Sequence, residues 1–184
     1  EMLAQNIEAD FYIGNNGGAI YDSSFQAIKT YYFPYKKAMD IIDYLKKEAV
    51  ISYVVNDGYH RAKQVLDPTR EDKKYGHTDI DYPLIKLLAN RQIAQIVAVP
   101  AQEETTIKIA NYINTVFADA ASAYRNIHCV DIAPQGISKA SGIAYLLHHL
   151  HMPKADVYTV GDSYNDIPML STFYGFALAH ADPK

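Results

Sequence analysis

This 184-residue sequence has one cysteine, no excess of positive charge and no long apolar run. The single Cys129 excludes an internal disulfide and a metal site built from several cysteines, and its apolar neighbours favour a buried thiol over a nucleophile. The formal net charge of −4 argues against the broad basic surface that a nucleic-acid backbone requires. No apolar stretch is long enough to span a bilayer, and no signal peptide opens the given sequence. We therefore expect a cytoplasmic protein whose partners include neither nucleic acid nor a membrane.

The residues that are present are typical of a packed globular chain, with 49% apolar and 21% charged residues. The length suits one ordinary domain, or one domain that carries a sizeable insertion. A small anion is still compatible with the charge, because one local lysine can bind it. The given sequence opens with Glu1 ahead of Met2, so we expect it to be incomplete.

Apolar periodicity and turn residues divide the first two thirds of the chain into alternating strands and helices. The segment 11–21 has two apolar arms around Asn-Asn-Gly-Gly and predicts a β-hairpin, since Asn and Gly adopt the positive φ angles of a tight turn. Helical periodicity follows from Pro34, with an apolar face of Ala38, Ile41, Ile42 and Leu45. Further predicted elements are strands at 50–55, 59–65 and 93–99, a charged loop at 67–81, a short helix at 84–88, and a helix from Gln102 with an apolar face of Ile107, Ala110, Ile113 and Phe117.

After residue 126 the pattern becomes strand, helix, strand, helix, strand. The predicted strands are 127–132, 156–160 and 175–179, and the helix from Ser138 is expected to bury Ile143, Leu146, Leu147 and Leu150. This alternation favours parallel strands joined by crossover helices. Such sheets carry their chemistry at the carboxyl ends of the strands, and Asp162 follows one of them.

The segment GDSYNDIPML, residues 161–170, places two carboxylates and an amide between a predicted buried strand and a helix. Carboxylates are costly to desolvate, so a pair at such a corner usually holds a positive group. Asp162 suits Mg²⁺, which takes few protein carboxylates and completes its shell with phosphate and water. Lys139, which begins the preceding helix, and the amide of Asn165 suit a phosphate. Asp166 suits a supporting role, accepting from Lys139 or from a metal-bound water.

Each of these residues also has an ordinary structural interpretation. Asp and Asn are favoured at helix N-termini and in polar loops, so a helix cap also explains the acidic turn. A calcium loop is disfavoured, because the alternating acidic spacing and central glycine of an EF-hand are missing. Lys139 taken alone fits an exposed lysine. His148, His149 and His151 suggest zinc only weakly, since just His148 and His151 share a helix face and no further ligands are evident.

The segments GISKASGIAYLL and VYTVGDSYNDIPML together resemble the third and fourth motifs of the haloacid dehalogenase (HAD) superfamily, and more narrowly the Cof-type sugar-phosphate phosphatases. NNGGAIYD resembles the Asn-Gly-Ala hairpin of that family with Gly18 as an extra residue, and GFALAHA resembles its closing segment with His180 where Asn is usual. The resemblance implies an α/β fold with a Rossmann-like parallel-sheet core, here incomplete, and an inserted α/β cap.

The resemblance also implies a division of the chain and a role for each candidate residue. Residues 1–30 would form a core fragment with the hairpin, 31–125 the cap, and 126–184 the rest of the core. Asp162 would bind Mg²⁺ and act in catalysis together with Lys139 and Asp166. Lys139, Asn165 and Asn16 would contact the substrate.

The family's nucleophile is an aspartate in an Asp-x-Asp sequence on the first strand, and a Thr or Ser closes the second strand. Neither feature precedes the hairpin, where Asp10 is followed by Tyr12 two residues on. We therefore expect two strands to lie ahead of residue 1 and a last helix to follow Lys184.

Two functions fit this sequence. The first is a Mg²⁺-dependent phosphatase of small phosphorylated metabolites that works through an aspartyl-phosphate and is inactive in the form of this chain alone. The second is a non-catalytic remnant of the same fold that binds an anion or a partner.

Overall fold

The computed structural model describes residues 9–126 and 128–181, in which ten β-strands and five α-helices form three sheets with helices packed on them. None of the described helices is long and apolar enough to cross a lipid bilayer. The strands are β1 Phe11–Gly14, β2 Ala19–Asp22, β3 Ala27–Thr30, β4 Val50–Asn56, β5 Arg61–Val65, β6 Gln95–Pro100, β7 Ala121–Asn126, β8 Cys129–Pro134, β9 Tyr158–Gly161 and β10 Tyr174–Ala177. The helices are α1 Tyr35–Leu45, α2 Leu84–Ala89, α3 Glu103–Val116, α4 Lys139–Leu150 and α5 Ile167–Thr172.

The predicted α/β class is confirmed. β1, β2 and β3 form an antiparallel meander, and β9 pairs with β10 in parallel, as the alternation at the end of the chain predicted. The largest sheet is antiparallel and has the order β5-β4-β6-β8-β7. The hairpin predicted at 11–21 is the β1–β2 pair, whose turn has positive φ angles at Asn15, Asn16 and Gly17.

The five-stranded sheet and its helices enclose the main hydrophobic core. All residues of β4, β6 and β8 are buried, and the predicted face of α1 packs against them through Ala38, Ile41, Ile42 and Leu45. The predicted face of α3 needs one correction, because Ile107 is 38% exposed. The buried stripe is Thr106, Ile109, Ala110 and Ile113, which has the i, i+3, i+4, i+7 spacing of one helix face.

The strand predicted at 127–132 does not open a parallel core. Ile127 lies outside the described residues, and β8 instead pairs antiparallel with β6 on one side and with β7 on the other. β7 was missed because its sequence, ASAYRN, mixes polar and apolar residues, and the short β7–β8 connection makes the pair antiparallel. The division into core and cap stays a prediction, but its boundary near residue 126 falls within this pair of strands. A core–cap boundary in the connection between β8 and α4 would keep β7 and β8 together in one part of the chain.

The β9–β10 pair is covered on one face alone within the part of the chain that the structure describes. α5 packs on the face that carries Thr159 and Gly161. On the opposite face Tyr158, Val160 and Phe176 are 69%, 57% and 57% exposed, so the prediction of a buried strand here is wrong.

Helix α4 packs against α5 and the β1–β2 turn. Its predicted apolar residues, Ile143, Leu146, Leu147 and Leu150, are therefore half-buried, whereas Ala140 and Gly142 are buried.

Candidate active site

Lys139 is the first residue of α4, and the N-terminus of this helix contacts the β1–β2 turn. Ser138 caps the helix: its Oγ accepts from the Ser141 backbone N–H at 3.2 Å, and its own N–H donates to Ser141 Oγ at 2.8 Å. The hairpin turn lies against this cap so closely that a Cβ on Gly17 would be 2.0 Å from the Ser138 carbonyl oxygen. Asn16 is thereby brought beside the site.

Asp166 is the centre of the site. Its Oδ1 accepts a hydrogen bond from the Lys139 ammonium, and its Oδ2 accepts from the backbone N–H groups of Asp162 at 3.0 Å and Ser163 at 3.2 Å. The carboxylate packs against Gly161, where a Cβ would lie 2.5 Å from Asp166 Cβ. One side chain therefore fixes both the turn after β9 and the lysine of α4.

The electrostatics of this centre favour an ionised Asp166. Burial opposes ionisation, since the residue is 3% exposed. The Lys139 ammonium and the backbone N–H groups of Asp162 and Ser163 outweigh burial and lower the pKa of the Asp166 carboxyl. Lys139 itself stays 32% exposed, so its other protons face a region that a ligand can enter.

Asn165 is buried and its amide is fully occupied. Its Nδ2 donates to Asn16 Oδ1 at 3.3 Å and to Asp131 Oδ2 at 3.2 Å, and its Oδ1 accepts from Ser163 Oγ at 2.7 Å. An amide nitrogen carries two protons, and both are used here. Asn165 thus connects the turn after β9 to the hairpin turn and to β8, and no proton is left on it for a phosphate in this conformation.

Asp162 is the remaining carboxylate at the site. It is exposed, and among residues 9–126 and 128–181 its side chain forms no hydrogen bond or ion pair. A free carboxylate suits Mg²⁺, which is often held by one or two carboxylates together with phosphate and water. Within the same residues no three acidic, His or Cys side chains gather into a metal site. At this site the described residues therefore offer Mg²⁺ one free carboxylate.

The structure brings together all five residues predicted from the sequence: Lys139, Asp162, Asn165, Asp166 and Asn16. Their roles in binding and catalysis stay predictions. Sequence reasoning missed Asp131 on β8, which lies against Asn165. The available signal was a charged residue inside the otherwise apolar segment CVDIAP.

Two other groups lie away from this site. The one Asp-x-Asp sequence of the chain, Asp79–Asp81, lies beside β5, where Asp81 bridges to Ala62. β5 is separated from β8 by two strands, so about 14 Å of sheet lies between them. His148 and His149 are exposed at the end of α4, and His151 is its C-cap with a φ of 55°.

The family of haloacid dehalogenase-like hydrolases has a sequence model that matches residues 1–184. This chain belongs to that family. Of the two donors that the sequence suggested for Asp166, Lys139 or a metal-bound water, the structure shows Lys139.

Solved structures of family members share the fold. A HAD subclass IIB sugar phosphatase aligns with a TM-score of 0.78 and 19% identity, covering 98% of this chain and 68% of that one. A haloacid dehalogenase-like hydrolase from B. subtilis aligns with a TM-score of 0.74 and 20% identity, covering 98% and 73%. A phosphoglycolate phosphatase of Pyrobaculum aerophilum is 28% identical over 85 residues, which are 46% of this chain and 36% of that protein. The chain thus matches little more than a third of that curated relative.

Proposed function

We propose that this hydrolase is a Mg²⁺-dependent phosphatase of small phosphorylated metabolites, with sugar phosphates as the substrate class. The observation that carries the proposal is the convergence on Asp166: its carboxylate holds the Lys139 ammonium and the backbone of Asp162 at the same point. The Lys139 ammonium and the backbone of Asp162 then both contact one carboxylate at the end of β9. The phosphatases among the similar proteins are consistent with this use of the site.

In this proposal the residues of this chain bind and orient the phosphate. Lys139 donates to a phosphate oxygen and offsets its negative charge, while Asp166 keeps the ammonium in place. Mg²⁺, when bound at Asp162, would supply positive charge to the same phosphate. Asn165 acts by holding the turn, since its own amide is occupied.

The covalent step requires an attacking aspartate. Its carboxylate oxygen would form the new bond to phosphorus as the bond to the leaving alkoxide breaks, and water would later hydrolyse the aspartyl-phosphate. The given residues hold no Asp-x-Asp sequence ahead of the hairpin, and Asp79–Asp81 lies beside β5, which two strands separate from β8. We therefore propose that the 184-residue chain alone has little or no turnover.

A p-nitrophenyl phosphate assay with Mg²⁺ tests both parts. It compares this chain with a chain extended upstream in the reading frame, and the extended chain with its Asp162→Ala variant. We expect turnover in the extended chain, a loss of about a hundredfold or more in Asp162→Ala, and a rate near background for the 184-residue chain. Full turnover by the 184-residue chain would contradict the missing nucleophile, and an unchanged rate in Asp162→Ala would contradict the metal role.

The alternative is a non-catalytic domain that binds an anion or a partner. It is favoured by the single free carboxylate that the described residues offer at the site and by the face of β9–β10 that they leave uncovered. An extended chain that binds inorganic phosphate but hydrolyses nothing would support it.

A further inference from the structure

Asp131 is a buried carboxylate that no cation neutralises within the described residues. It is 5% exposed on β8, between Val130 and Ile132, which are both fully buried. Its Oδ2 accepts from Asn126 Nδ2 at 3.1 Å and from Asn165 Nδ2 at 3.2 Å. A buried charge is costly, and a neutral side chain would fill the same strand position at a lower cost. The carboxylate therefore calls for an explanation outside the packing of the sheet.

The contact of Asp131 with Asn165 explains why a carboxylate is buried at this position. Asn165 stands in the 3₁₀ turn Tyr164–Asp166, next to the carboxylate that binds Lys139 and the Asp162 backbone. The neighbouring Tyr164 has the guanidinium of Arg125, on β7, 4.5 Å from its ring centroid. The adjacent strands β7 and β8 thus contact two adjacent residues of one turn, Tyr164 and Asn165.

We propose that Asp131 is a positioning residue, which ties the Asp162–Asp166 turn to β8 by orienting the Asn165 amide. The charge matters because an ionised carboxylate accepts stronger hydrogen bonds than a neutral group. The geometry of the phosphate site then depends on where the five-stranded sheet lies. The inference rests on the proposed function only in its consequence for phosphate binding.

Amide hydrogen exchange, measured by NMR on the 184-residue chain, tests the link. Asp131→Leu replaces the acceptor by a larger apolar side chain, Asp131→Asn keeps the size and an oxygen acceptor without the charge, and Asp72→Asn is a matched control. Asp72 is a second buried aspartate of the same sheet region, 8% exposed, that contacts Lys63 and Ser52 rather than the Asp162–Asp166 turn.

We expect Asp131→Leu to accelerate exchange of the Asp162 and Ser163 amides about tenfold beyond any acceleration in β4, as for the loss of one charge-assisted hydrogen bond. Asp131→Asn, which keeps a weaker and uncharged acceptor, should accelerate exchange of these amides less than Asp131→Leu, and Asp72→Asn should show no excess at these amides. An equal, uniform acceleration in Asp131→Leu and Asp72→Asn would overturn the proposal. If Asp131→Leu does not fold, Asn165→Ala cuts the same link from the other side, and a lack of excess exchange there would overturn it as well.

A titration of the same samples with inorganic phosphate and Mg²⁺ separates this inference from the proposed function. We expect the Lys139 and Asp162 resonances to shift in the parent chain and in Asp72→Asn, and to respond at least tenfold more weakly in Asp131→Leu. No phosphate response in the parent chain, together with the expected exchange pattern, would contradict the phosphatase proposal and leave the link between Asp131 and the turn supported.

Discussion

Strands β4 and β9 have similarly apolar sequences, VISYVVN and YTVG, but very different surroundings. All seven residues of β4 are buried, whereas in β9 just Thr159 and Gly161 are. β4 lies inside a five-stranded sheet with α1, α2 and α3 packed on it, and β9 has one described strand neighbour and one covered face. An apolar run therefore indicates a strand, but the number of layers around it determines whether the strand is buried.

The same two regions each contain a lysine–aspartate pair. Lys63 and Asp72 are 14% and 8% exposed, and Ser52 Oγ also donates a hydrogen bond to Asp72. Both charged groups of this pair are therefore shielded from solvent. Lys139 and Asp166 are 32% and 4% exposed, so the lysine of this pair opens to solvent. The first pair suits a structural role, and the second leaves a cation for a ligand.

The largest contrast is expected between two tyrosines. Tyr53 in β4 is 1% exposed and Tyr158 in β9 is 69% exposed. We expect Tyr53→Ala to lower the free energy of unfolding by about 3–5 kcal/mol, as for other large aromatic truncations in cores. Tyr158→Ala should change it by less than about 1 kcal/mol, because little contact is lost. Urea unfolding followed by circular dichroism measures both, and similar losses would mean that the β9 face is covered.

The second contrast concerns the two ion pairs. Asp72→Ala leaves the Lys63 ammonium with little access to water, so we expect a loss of about 3 kcal/mol in the free energy of unfolding. Asp166→Ala leaves a lysine that water can hydrate, so we expect a smaller loss of about 1–2 kcal/mol in the free energy of unfolding. This loss arises because backbone N–H groups such as that of Asp162 lose their acceptor. The same urea titration applies, with Asp119→Ala, which removes an exposed ion pair with Lys37, as the control. A larger loss for Asp166→Ala would reverse the assignment of the structural pair.

The smallest effect is on the dependence of stability on pH. Burial of Asp72 and Asp166 opposes ionisation, but their lysine partners and hydrogen bonds outweigh it and lower the pKa of both carboxyls from the unfolded value of 3.8. Their stabilisation is therefore complete above that value and is lost as the pH falls through the lower, folded pKa. We expect the urea midpoint to decrease below about pH 4, and to decrease less steeply in Asp166→Asn. An identical pH profile for Asp166→Asn would contradict the lowered pKa of Asp166.

Local sequence was enough to predict much of the fold and most of the site. The α1 face, the β1–β2 turn and the corner after β9 were all predicted correctly, because helical period, positive-φ residues and capping are properties of a few consecutive residues. Lys139, Asp162 and Asp166 were found for the same reason, since their motifs are short.

What the sequence by itself determined is therefore each element and the chemistry that it carries. Tertiary structure alone decided that β8 pairs with β6 and β7, that the described residues leave one face of β9 uncovered, and that Asn165 is held by Asp131 and Asn16. The two contacts of Asn165 join residues that are 34 and 149 positions apart in the sequence, and no local sequence pattern predicts contacts at such separations. Burial and hydrogen bonding at this site depend on which distant surfaces meet, because a side chain loses water only when another part of the chain covers it.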